Sequence, residues 1–214
     1  MGCVVVARDD GSAAGRAAVA WAEREARLRG LTLSSDDLAE PHRVGRDVEL
    51  VVRPCPAADT DGTVTAVPGR PVVFVPGAPD RLPGRVAVGV DGRNPAQAAL
   101  RFAFESARLR GAELHAVHAW TLPAEAAGTP FAVPEGDRAR WEDQEVQLLS
   151  DALRPWRAGH PDVEVWPDVL CFPPSHALTH ASTTAGLLVL GHHTGHTASA
   201  LLRRVHCAVA VVAD

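Results

Sequence analysis

The sequence predicts an α/β protein built on a parallel sheet, with one fold unit present twice. Three observations carry this. Apolar runs rich in β-branched residues, such as VAVGV at Val86–Val90 and LLVLG at Leu187–Gly191, alternate with amphipathic stretches; strands buried on both faces and linked by helices have this pattern. The pentapeptide ARLRG occurs at Ala26–Gly30 and again at Ala107–Gly111. Holding that offset of 81 residues places Asp10-Gly11 on Asp91-Gly92 and gives eleven identities in the 24 positions from Asp10 to Leu33, which marks an internal repeat. A period this long is a duplicated domain-like unit rather than a solenoid.

The first copy, residues 1–79, opens with CVVVA as a strand and Ser12 to Gly30 as a helix. VELVV (Val48–Val52) and PVVFV (Pro71–Val75) are its remaining strands, and Asp36 to Arg46 and Pro54 to Gly69 read as loops. This copy is truncated. About 80 residues with this little apolar content make a marginal core, so it is expected to lean on its neighbour.

The second copy, residues 85–214, is complete. Asp91-Gly92 ends its first strand, Asn94 stands where a helix cap is expected and Pro95 suits a first helical position. Ala99, Phe102, Ala103, Ser106 and Ala107 then recur at helical spacing until Gly111. Glu113 to Trp120 is a second strand and Pro123 to Pro134 a loop. Gly136 to Trp156 is a helix whose stripe is Trp141, Leu148, Leu149, Ala152 and Trp156. Val163 to Cys171 is a third strand, with Pro167 implying an edge position or a bulge. Ser175 to Ala185 (helix), Leu187 to Gly191 (strand), Ser199 to Val205 (helix) and Ala208 to Val212 (strand) complete the unit.

Composition bounds the function. Of 214 residues 46% are apolar and 22% charged, as in a soluble globular protein. A net charge of -5 argues against nucleic acid as a partner, since that affinity rests on lysine and arginine. No run is long enough to cross a bilayer and the start lacks a leader pattern, so a cytoplasmic protein with no membrane partner is expected. Cys3, Cys55, Cys171 and Cys207 lack CxxC spacing and read as reduced thiols.

The segment VAVGVDGRNPAQAALRFAFESARLRGAELHAVHAW resembles the opening of a universal stress protein domain, and LLVLG followed by a helix and HCAVAVV resembles its closing segment. The resemblance implies a flavodoxin-like (Rossmann-like) parallel sheet of five strands, in tandem with a truncated first copy. It also implies pairing through the last strand with another copy, and in many members an ATP at the carboxyl edge. Such ligands sit where strand order reverses. The cofactor-binding candidates are then Asp91, the backbone around Val117, and Gly191, Gly195 and His196 of the stretch GHHTGHT.

That stretch departs from the family pattern. ATP-binding members carry Gly, two residues, Gly, nine residues, then Gly with Ser or Thr, whereas Gly191 and Gly195 stand four positions apart and His196 replaces the hydroxyl residue. Each lost charge-assisted phosphate bond removes roughly 1.5 to 3 kcal/mol, so ATP is expected to bind weakly or not at all. His192, His193 and His196, or His176 and His180, could be imagined around a metal, but neither cluster contains an acidic residue and both read as solvated histidines. No residue is assigned a catalytic or metal role.

The expected function is therefore that of a non-catalytic stress-response protein acting by binding and regulation, its repeats paired through Val72–Val75 and Ala208–Val212. Further assembly into a homodimer is left open. The alternatives are an ATP-binding nucleotide sensor of the same family, and a metal-dependent hydrolase using the histidine cluster.

Overall fold

The computed structural model describes residues 3–7, 11–36, 47–55, 69–77, 84–123, 126, 133–191 and 201–213. Strands are β1 (Cys3–Ala7), β2 (Thr32–Asp36), β3 (Val48–Pro54), β4 (Val72–Val75), β5 (Arg85–Gly89), β6 (Leu114–Ala119), β7 (Val165–Leu170), β8 (Ala185–Gly191) and β9 (Ala208–Val212). Helices are α1 (Ala13–Arg29), α2 (Gln97–Arg110), α3 (Glu135–Gly159) and α4 (Pro174–Ala181). The nine strands of the described residues lie in one sheet, in the order β2-β1-β3-β4-β9-β8-β5-β6-β7.

Strands β5 to β9 pair in parallel as a five-stranded sheet. The chain moves outward from β5 through β6 to β7, then returns to the other side of β5 for β8 and β9, so strand order reverses between β5 and β8. Strands β1 to β4 repeat the scheme without a third strand, also in parallel. The two sets meet at β4 and β9, which run antiparallel with Val73 opposite Ala210.

Period-two alternation along these strands feeds two apolar layers. Val52, Val73, Val88, Leu114, Val189 and Ala210 face α1, α2 and α3, where Trp21, Phe102, Phe104, Leu149 and Leu153 meet them. Val51, Phe74, Val117, Leu188, Leu190 and Val209 face the opposite layer, with Leu178 of α4 and Leu201. Both layers take residues from both copies, so the core is continuous across β4 and β9.

α1 and α2 end alike. Gly30 and Gly111 end α1 and α2 at φ 66 and 56, a left-handed turn that glycine adopts without steric penalty. The helix starts differ. Ser12 caps α1 by accepting from the Gly15 N–H at 2.9 Å. α2 has no side-chain cap: it begins at Gln97 after Ala96, and Asn94 is exposed in the turn before it. The expected Asn94 cap and Pro95 first turn are thus corrected, because the turn after Asp91 runs further before the helix sets in.

The sequence assigns no strand to Thr32–Asp36, where the structure has β2. TLSSD is polar and Leu33 is exposed, as suits an edge strand, but the repeat that lays Leu33 on Leu114 puts this segment on β6. At the other edge, β7 carries Pro167 opposite Ala116 and has no neighbour on its far side among the described residues.

Candidate functional site

The carboxyl ends of β5 and β6 open into a cleft of about 500 Å³. Its floor is apolar, from Val90, Val117, Leu190 and Leu178, and Asp91, Arg93, Trp120 and Thr121 stand at its walls. The fold dictates this position, since β5 hands the chain to α2 on one face while α4 covers the other.

Asp91 follows β5 and is exposed; its Oδ1 accepts the Arg93 N–H at 2.9 Å, closing the turn. Val117 is buried in β6 and lines the cleft, while its carbonyl accepts the Val90 N–H at 2.9 Å. Gly191 ends β8, buried, beside the first residues of α2 rather than on the cleft wall. Gly195 and His196, with His192 and His193, lie outside the described residues, as does Asp10 of the first copy. His176 and His180 sit exposed on α4, and the described residues hold no group of three or more metal-ligating side chains.

The network that dominates the cleft was not anticipated. His118, 2% exposed, lies with Nδ1 2.9 Å from the Val90 carbonyl oxygen and Nε2 2.8 Å from a carboxylate oxygen of Glu145. Glu145 also accepts two bonds from the Arg93 guanidinium, one of them at 2.7 Å from Nη1. A strand end, a turn and α3 are thereby tied together by one buried carboxylate. The hydrogen bond from Arg93 holds the Glu145 carboxyl below the usual carboxylate range against the opposing effect of burial, with His118 adding to the depression. Both nitrogens of His118 and both oxygens of Glu145 are thus engaged, and among the described residues the exposed Asp91, Arg93 and Thr121 line the same cleft.

A sequence signal for Glu145 existed. It stands four residues after Trp141 and four before Leu149, on the apolar stripe of α3, where a carboxylate has to find a partner.

A parallel α/β unit with a crevice outside the carboxyl ends of its strands, beside the point where strand order reverses, belongs to the doubly wound class. Residues 83–213 match the model of the universal stress protein family, and the chain belongs to that family. A universal stress protein of Mycobacterium tuberculosis is 36% identical over 118 residues, covering 54% of this chain and 37% of that relative. The chain therefore spans well under half the length of that relative. Among solved structures, a functionally unknown protein from Pseudomonas aeruginosa PAO1 shares the fold over 98% of this chain and 80% of its own, with TM-score 0.54 and 17% identity. The universal stress protein of Archaeoglobus fulgidus, solved in complex with dAMP, is 20% identical over 61% of this chain and 98% of its own, with TM-score 0.40. No helix among the described residues is long and apolar enough to cross a membrane.

Proposed function

We propose that this chain is a non-catalytic, binding and regulatory member of the family whose first half serves as the built-in partner of its second, and that it binds adenine nucleotide weakly or not at all. The antiparallel ladder of β4 and β9 carries the reading. Every residue of Val72–Val75 and Ala208–Val212 is buried, so each copy covers the strand edge that the other would leave as a template for association.

The short spacing of Gly191 and Gly195 supports weak nucleotide binding, because fewer backbone amides fit between them. Thermal melting with rising ATP and magnesium tests it. The expected result is no saturable shift. A ligand at 100 times its Kd stabilises by about 2.7 kcal/mol, which moves the midpoint by roughly 5 to 10 °C in a protein of this size, and a shift of that kind would establish the nucleotide sensor instead. The cleft itself favours that second reading: Asp91 and Arg93 border an apolar floor large enough for a purine.

A further inference from the structure

The two ARLRG motifs face each other. In α1, Glu25 is buried at 1% exposure, four residues after Trp21 on the apolar stripe. One of its oxygens accepts from Nε of Arg29 at 2.6 Å; the other accepts from Arg110 of α2. Across the contact Ser106, fully buried, accepts from Nη2 of Arg29 through Oγ at 2.9 Å, and its carbonyl accepts from Nη1 of Arg110 at 3.1 Å.

The offset of 81 residues converts Glu25 into Ser106 and Arg29 into Arg110. The cluster is therefore reciprocal: each arginine lies four residues after its own partner and reaches across to the equivalent residue of the other helix. Only one of the two equivalent positions bears a carboxylate. Among the described residues, two largely buried guanidiniums, each 13% exposed, thus share the Glu25 carboxylate, and Arg24 adds positive potential at Arg110.

We propose that the pairing surface of the second half, β9 with α2, fits a partner that brings a carboxylate to the place of Glu25 and rejects another second half. This deepens the assembly part of the function proposed above by naming the partner chemistry that surface accepts. Two second halves would bring two arginines and two serines together with no anion, leaving buried cations uncompensated. The first half supplies what is missing, so the chain is matched to itself.

The full chain can be converted to the rejected chemistry by Glu25→Ser, which leaves Ser, Ser, Arg and Arg at the contact. Melting of that variant is expected on the order of 10 °C below the parent. Glu25→Ser with Ser106→Glu moves the carboxylate to the other helix, four residues before Arg110 and facing Arg29, and is expected to recover more than half of the loss. A Glu25→Ser midpoint within about 2 °C of the parent, or an exchange variant no more stable than the single one, overturns the proposal. If Glu25→Ser does not accumulate folded, folded exchange variant supports the proposal and its failure overturns it. The ATP titration of the unsubstituted chain is read separately, so tight nucleotide binding with a successful exchange removes the functional reading and leaves the pairing rule standing.

Discussion

A Cβ placed on Gly191 would lie 2.5 Å from the Cβ of Ala96, the residue just before α2. The glycine is thus required by the approach of α2 to the end of β8, whatever else passes nearby. Gly191→Ala is expected to destabilise the ligand-free protein by about 1 to 3 kcal/mol through overpacking, read as a midpoint lower by roughly 2 to 12 °C. Unchanged melting would assign the glycine to ligand approach alone.

Glu145 makes stability depend on acid. Its folded pKa lies below the ordinary 4.5, held there first by Arg93. The stabilisation is therefore complete above the ordinary value and is lost as pH falls through the lower folded one. Denaturant melts should show the parent losing stability in that acid window and Glu145→Gln losing less. Arg93 is 60% exposed, so solvent screens its share of the interaction. The expected difference at pH 7 is about 1 to 3 kcal/mol, from the buried contact with His118. Parallel pH profiles for the two proteins would remove Glu145 from the account.

Two of the four thiols should be inert in the folded state. Burial pushes Cys55 and Cys207 up to about 12, so at pH 8 the thiolate fraction is on the order of one in ten thousand. Alkylation followed by peptide mass mapping should modify buried Cys207 only as fast as the protein unfolds, and half-buried Cys55 more slowly than a free thiol. Labelling of Cys207 at the rate of a free thiol would contradict the packing of the segment before β9.

Because both apolar layers draw on both halves, the chain should unfold as one unit. Native-state hydrogen exchange should give Val51 and Val52 of β3 the same opening free energy as Val88 and Leu188. A gap of more than about 2 kcal/mol between the two sets would show halves that melt independently.

The α/β class was legible in the sequence because periodicity is a local signal: runs such as AVAVV and LLVLG named the buried strands β9 and β8. Strand β2 escaped because an edge strand of Thr, Ser and Asp has neither the apolar run nor the β-branched content of its neighbours, and only the repeat could have supplied it. The contents of the cleft were less legible. Asp91 stands just past β5 and Val117 within β6, positions implied by the family resemblance together with strand order, but the union of Arg93, His118 and Glu145 depends on how α3 folds back over β5 and β6. The hint lay in two glutamates, Glu25 and Glu145, each four residues after a tryptophan on a buried stripe; one ties the halves together and the other ties the cleft.

The antiparallel join of β4 to β9 also sets the polarity of the molecule. Every other pairing is parallel, so the strands of the first half point one way and those of the second half the other. The rim onto which β5 and β6 discharge is consequently the rim where β1 and β3 begin. The cleft at the exit ends of β5 and β6 therefore borders strand starts of the first half, while the exit ends of β1 and β3 lie on the opposite rim.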